Sequence, residues 1–447
     1  MRKIYFVTVC ALAFLTTACT GDSNRPVATG EGTIRAINTI SSAPDFSFLI
    51  EERTAGGAAY ANASQPLEFD DLEYTFNFQV ALPGLVGPQR VASVQQKIEK
   101  DHSYSFLITG EVAAPDIIVW DYPITEVVAG TTTFEVRFGH TAESVGPIDV
   151  YFAPAGVAPA AGAEVASLAF GELSAPITRE SGEFVYIITS AGNPGDILFE
   201  SNATTGTAQT NIIISPFDGT DNNPGPLVVR TISQSGFIGS LADVNVPSTV
   251  RFFHASIALE TSDVYSDDML TEQVLANHAY QDVTGDIELS AGDYTFTYTP
   301  AGNSGSVLLE ATAVVFPASR LNVYVVGQVD ALAPIVVNPD RRSVETLTKL
   351  EFVHAAFNHP AIDLYITEAG TPLDDANPRF FGIPPGTPPL SLNIDQGDLE
   401  MHITIAGEKT IIAGPVAFTA ELGDLFQFIA YDNVDPATAD LVAIPLP

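Results

Sequence analysis

Three times this chain writes one phrase: a run of β-forming residues, a histidine, and nine residues later an aspartate that opens Asp-Val-Tyr or Asp-Leu-Tyr. The copies are Phe134-Glu-Val-Arg-Phe-Gly-His140 with Asp149-Val-Tyr151, Thr249-Val-Arg-Phe-Phe-His254 with Asp263-Val-Tyr265, and Lys349-Leu-Glu-Phe-Val-His354 with Asp363-Leu-Tyr365. A period of about 100 residues is too long for a solenoid and marks a repeated domain. A second phrase keeps the same register. Gly182 and Gly192, Gly292 and Gly302, and Gly397 and Gly407 each flank an alternating strand, with Ala-Gly at its exit. Alternation of period two is the mark of a half-buried strand, and glycine suits the turns at either end.

The phrases divide the chain into a leader at 1–18, a tether at 19–31, and repeats at 32–125, 131–232, 246–338 and 346–447. The first repeat is degenerate: Asn38 stands where the others have histidine, and Asp45 follows seven residues later. Each repeat holds about seven short strands at intervals of roughly 8–14 residues and no segment of helical period, which predicts an all-β chain of tandem antiparallel, immunoglobulin-like β-sandwiches. The boundaries at 233–247 and 338–345 are rich in proline and polar residues. They predict beads on a short string.

Composition supports this reading. Apolar residues make up 46% of the chain and charged residues 16%, enough for packed cores and unlike a disordered chain. The net charge of −36 repels nucleic acid and anionic membranes, and suits a solvated exterior, divalent cations or basic partners.

The first residues read as a processing signal. Arg2 and Lys3 precede a mostly apolar run from Ile4 to Leu15, which as a helix is about 18 Å long, too short for a bilayer core of about 30 Å. Leu15-Thr-Thr-Ala-Cys19 resembles the bacterial lipobox, with Leu15 one place further from the cysteine than usual. Cys10 lies within the leader, so Cys19 is the only thiol left in the mature chain and no intrachain disulfide is available. Cys19 is therefore expected to be lipidated, and Thr20 after it, rather than aspartate, favours the outer membrane. The expected localisation is the bacterial cell envelope, with the membrane reached through the lipid.

Val-Arg-Phe-Phe-His254-Ala-Ser with Asp263-Val-Tyr265, and Leu-Ser-Ala-Gly292-Asp-Tyr-Thr with Thr-Pro-Ala-Gly302, resemble the bacterial family called domain of unknown function 4397. Its members carry Val-Arg-Phe-Val-His-Ala-Ser, Val-Asp-Val-Tyr and a Leu-Pro-Ala-Gly-Thr-Tyr strand. The likeness covers repeats two to four and extends weakly to the first. It implies extracytoplasmic, often lipid-anchored, β-sandwich-like modules with no established activity.

The pairs His140/Asp149, His254/Asp263 and His354/Asp363 admit two readings. They suit metal ligation or a base with its orienting carboxylate, or a polar device that fixes the turn between two strands. Recurrence in three modules favours the structural device, since a fold rebuilds its fasteners in every copy and catalysis rarely needs three sites. His102, His278, His359 and His402 are scattered, and no Gly-x-Ser-x-Gly, His-Glu-x-x-His or phosphate-cradling glycine loop occurs. A non-enzymatic chain is expected.

No cofactor is expected, with calcium as the candidate exception. Asp218, Asp221 and Asn223 gather oxygen ligands in a glycine-containing loop, and Asp70-Asp71, Asp267-Asp268 and Asp374-Asp375 add paired carboxylates without EF-hand spacing. A protein or glycan ligand is the expected partner, with Trp120 and Tyr122 as candidate sugar-stacking aromatics, and a hydrolase site on one module's loops is a further alternative.

Overall fold

The computed structural model describes residues 27–125, 132–205, 210–216 and 225–444. Among them there is no α-helix, and the strands form eight sheets, two per repeat, so the chain is a tandem array of four β-sandwiches. The third module shows the plan. One sheet runs in the order Ile287–Leu289, Ser248–His254, Arg320–Val326, Ala333–Val337, and the other Gln273–His278, Ser262–Tyr265, Gly292–Pro300, Leu309–Val315. Modules three and four have eight strands each, one more than the spacing suggested, and among the described residues module one has nine and module two ten.

Pairing is antiparallel with one exception in every module. The first strand lies parallel to the strand by which the chain returns to the first sheet: Glu31–Asn38 beside His102–Glu111, Thr133–His140 beside Thr210–Pro216, Ser248–His254 beside Arg320–Val326, and Thr348–Ala355 beside Leu425–Asp432. A parallel pair needs a long crossover, and here the second sheet supplies it.

Alternation on the first strand sets the core. Val250, Phe252 and His254 turn inward, and Phe252 meets Phe296 from the opposite sheet edge-on at 5.0 Å. Each module has one such core; in the first it is built on Phe48, Phe76, Phe78 and Phe106. The outward residues of the same strands are buried as well, and this overturns the expectation of beads on a string.

Modules three and four pack face to face through the outer surfaces of their first sheets, with Phe253, Tyr324 and Ile335 on one side and Val353, Ile429 and Tyr431 on the other. Strand registers make Phe253 equivalent to Val353, Tyr324 to Ile429, and Ile335 to Val442. Both modules therefore offer the same patch, an isologous interface with pseudo-two-fold symmetry inside one chain. Modules one and two repeat the arrangement with Ile37, Leu107 and Trp120 against Ile232, Ile238 and Leu173. Trp120 lies over Gly139, where a Cβ would come within 2.0 Å of the indole ring, so that position accepts no side chain.

The boundary segments are docked rather than free. Residues 233–247 include Ile238–Leu241, a fifth strand on the first sheet of module two, and a buried Asp243 that accepts the Asn245 amide. In the later segment, Arg342 Nη1 donates to the carbonyls of Ser41 (2.8 Å) and Ala43 (2.6 Å) in module one. The Glu345 amide adds a bond to the Ser42 carbonyl, so the link between the two module pairs is also held to the first module.

Candidate functional site

Each histidine of the repeated phrase lies at or next to the end of the first strand and is buried. His140 receives the Ala142 amide at Nδ1 (3.3 Å) and faces the Gly146 carbonyl with Nε2 (2.8 Å). An amide N–H only donates and a carbonyl only accepts, so Nδ1 is bare and Nε2 carries the proton. His354 keeps the first of these bonds, from Ala356, and His254 keeps the second, to Glu260. In each case the ring ties the end of its strand to the connection that follows.

The degenerate module shows what the imidazole is for. Asn38 receives the Ile40 amide on Oδ1 (3.0 Å) and donates from Nδ2 to the Pro44 carbonyl (3.3 Å), the same two partners, at positions two and six residues on. An asparagine side chain has neither a proton to exchange nor an imidazole lone pair for a metal. The job it shares with His140 is that of a neutral donor and acceptor. Burial holds the His140 and His254 rings below the usual imidazole range, and pushes His354 down to about 4.

The aspartates do not join these histidines. Asp149 accepts the Gly192 amide (2.7 Å) and the Ser167 hydroxyl (2.5 Å). Asp263 accepts Gly302 (2.8 Å) and Asn277 (2.9 Å), and Asp363 accepts Gly407 (2.8 Å) and Gly382 (2.7 Å). The glycine is each time the exit glycine of the second phrase, at φ near +75°. One carboxylate thus sews the second strand to the turn after the fifth, and the two phrases of the sequence are the two halves of one fastener. In module one Asp45 is exposed.

The remaining histidines are also engaged. His278, buried 5.5 Å from His254 ring to ring, faces the Asp282 carbonyl and is pushed down to about 4 by burial and by its neighbour. His359 faces the Thr438 carbonyl, His402 lies 3.6 Å from Glu400, and His102 meets Asp121 at 2.7 Å. Asp71 and Asp267 accept hydrogen bonds from Thr29 and Thr271, which hold both carboxyls below the usual range, and Asp374 and Asp375 lie in a short 3-10 turn. Among the described residues no three His, Cys, Asp or Glu side chains converge on a metal position. Asp218, Asp221 and Asn223, like Cys19, lie outside the described residues.

Two aromatics proposed for sugar stacking are not available. Trp120 is 4% exposed and Tyr122 8%, both closed into the seam between modules one and two. The indole Nε1 donates to the Gly171 carbonyl (2.8 Å), and the Arg137 guanidinium lies 4.9 Å from the centre of the Tyr122 ring. An indole held on both its apolar and its polar sides has no face to offer a ligand.

The seam residues are what sequence reasoning missed, and a signal existed. Leu321-Asn-Val-Tyr-Val-Val326 and Leu425-Phe-Gln-Phe-Ile-Ala430 are apolar on both faces, as strands covered on both sides should be. At the seam of modules three and four, Gln427 Nε2 bridges Tyr324 Oη (2.7 Å) and Glu351 (3.2 Å), and burial holds the Glu351 carboxyl above its ordinary range.

These features define a tandem array of β-sandwich modules with recurring structural fasteners. The chain belongs to the family described as "Domain of unknown function (DUF4397)", whose model matches residues 22–151 and 248–365. The first match begins at residue 22, ahead of module one, and the second at residue 248 in module three; they end at Tyr151 and Tyr365, the Tyr of Asp-x-Tyr in modules two and four. No curated protein matches. Among solved structures, the chain is similar to the Bacillus anthracis TIE protein at 9% identity, over 91% of this chain and 69% of that one, with a TM-score of 0.15. So low a TM-score carries no structural argument.

Proposed function

We propose that the chain is a non-enzymatic lipoprotein of the bacterial cell envelope, anchored to the outer membrane through a lipid on Cys19. Its modules would act as a rigid scaffold for binding or adhesion. The observation that carries the non-enzymatic part is Asn38: the most recurrent polar position of the fold works without an imidazole. The lipid anchor is supported by Leu15-Thr-Thr-Ala-Cys19 and by the single thiol of the mature chain.

Two experiments test this reading. Cys19→Ser should move the protein from the membrane fraction to the soluble one and abolish labelling by a fatty-acid analogue. Unchanged membrane association would reject the anchor. No cofactor is proposed, so melting with calcium and with chelator should coincide. A chelator-sensitive melting temperature would instead assign calcium to the loop of Asp218, Asp221 and Asn223.

A further inference from the structure

One turn of module three, residues 277–282, latches onto module four. Tyr280 Oη donates to the Asp432 carbonyl (2.6 Å), its ring lies edge-on to Tyr431 at 5.8 Å, and Gln281 Nε2 donates to Asp440 Oδ2 (3.1 Å). The same turn begins at His278, which is buried 5.5 Å from the buried His254, ring to ring. Tyr280 also lies edge-on to His254, at 6.1 Å. Backbone bonds close the unit: the His254 amide donates to the Asp282 carbonyl (3.0 Å), and the Gln281 amide donates to the His254 carbonyl (2.9 Å).

Both rings are placed to be neutral. His254 Nε2 faces the Glu260 carbonyl (3.3 Å) and His278 Nε2 the Asp282 carbonyl (3.2 Å), so each carries its proton there, and neither Nδ1 has a hydrogen-bond partner. A further proton would stand on a buried Nδ1 with no acceptor, beside a second ring. The carboxylates around the pair are committed elsewhere. Asp282 takes the Ala279 amide, Asp263 takes the Asn277 and Gly302 amides, and the Glu260 side chain is exposed. In module four, Asp432 takes the amide of Asn358, which adjoins His359, and Asp440 takes Asn433 besides Gln281. Burial, then the His254 neighbour, holds His278 at about 4 against the pull of Asp282.

The turn is also the piece most easily displaced. Asn277 and Gln281 are held at φ +54° and +68°, the left-handed region that suits glycine. Gln273–His278 is an edge strand, and its pairing with Ser262–Tyr265 shifts register twice. We infer that acid unlatches modules three and four: proton uptake by the His254–His278 pair drives the turn outward and withdraws Tyr280 and Gln281 from module four. Modules one and two have no equivalent pair, because His140 is their one buried histidine and His102 is partly exposed beside Asp121. Acid therefore opens one of the two seams and leaves the other closed. The inference does not depend on the lipid anchor or on the localisation.

The test is hydrogen exchange of the full chain, read by mass spectrometry at pH 7.5 and pH 5 and corrected for the intrinsic rate at each pH. The latched turn holds His278 at about 4 and the released one restores the ordinary 6.5, so the open form gains the proton, and opening becomes about 30-fold more frequent at pH 5. Protection across 277–284 should fall by that factor, while Gly292–Pro300 in the core of module three and His102–Glu111 at the other seam keep theirs. His278→Gln cannot take up the proton and should lose most of the fall. Tyr280→Phe loses the bond to the Asp432 carbonyl and should lower protection of the turn about fivefold at pH 7.5 while keeping the pH dependence. If His278→Gln does not fold, the wild-type profile and Tyr280→Phe decide. The inference is overturned by constant protection across 277–284, by an equal fall in either control strand, by an undiminished fall in His278→Gln, or by full protection in Tyr280→Phe.

Discussion

If the repeated histidine serves only as a neutral donor and acceptor, asparagine should replace it. At His140 the substitution to Asn keeps the acceptor for the Ala142 amide and the donor to the Gly146 carbonyl, because Asn38 makes both bonds in module one. The smaller side chain leaves unfilled space, a cost of about 1–2 kcal/mol. His140→Leu keeps the volume but strands both backbone groups, each worth about 1–3 kcal/mol when left unsatisfied, so about 2–5 kcal/mol in all. The assay is urea unfolding followed by tryptophan fluorescence, for which the chain is well suited. Its single tryptophan, Trp120, lies over Gly139 beside His140 and reports the loss of module two. The expected order of midpoints is wild type, then His140→Asn, then His140→Leu, with the slope m unchanged. An Asn variant as unstable as the Leu variant would refute the reasoning, since the imidazole would then be doing something asparagine cannot.

Acid should unfold the chain through buried histidines, one of them in the repeated phrase. Burial holds His278 and His354 at about 4 when folded, against an ordinary 6.5, so the unfolded chain binds the extra protons; stability is full above pH 6.5 and falls by about 3 kcal/mol per ring as the pH drops to about 4. Glu351 acts in the opposite direction, since a raised carboxyl favours the folded state at low pH, and the difference between wild type and His354→Asn melts at pH 5 and pH 7.5 isolates the histidine contribution. Asp263→Asn leaves one acceptor for two amides, Gly302 and Asn277, and should cost about 1–3 kcal/mol, read as a lower thermal midpoint with the Asp149 and Asp363 modules unaffected. Trp120→Ala should cost about 3–5 kcal/mol and raise hydrogen exchange along Leu227–Ser233 of module two; unaltered protection there would mean the seam is not cohesive.

Much of the fold was legible because its two phrases are local. The histidine ends a strand of period two, and the exit glycine ends another, so each leaves a mark at a fixed spacing that survives in sequence. That the aspartate meets that exit glycine, about 40 residues away, was not legible: the bond joins the two phrases across a sheet, and spacing along the chain put the aspartate closer to the histidine. The module faces were hidden for a different reason. Phe253 and Tyr324 read as ordinary strand residues of one module, and only the partner module's Val353 and Ile429 explain why the outward side is apolar.

The first strand of each module therefore carries two messages on its two faces. Inward residues are near-constant in kind, because every copy builds the same core and the same histidine or asparagine tie near the end of its first strand. Outward residues diverge between copies, and the divergence sorts the modules into pairs. Glycine at 139 is what admits Trp120, whereas the equivalent Phe253 of module three fills that space and stacks on Tyr324 at 4.2 Å. Three residues before the histidine position stand Arg35, Arg137 and Arg251, but Glu351 in module four. Arg35 reaches the Ser233 carbonyl of module two (2.9 Å), while Glu351 is bound through Gln427 to Tyr324 of module three. A wrong pairing would press Trp120 onto a phenylalanine or leave Glu351 buried without its amide, and each mismatch carries a steric or desolvation cost. Four copies of one fold thereby assemble in one order, with core residues specifying the module and seam residues specifying its neighbour.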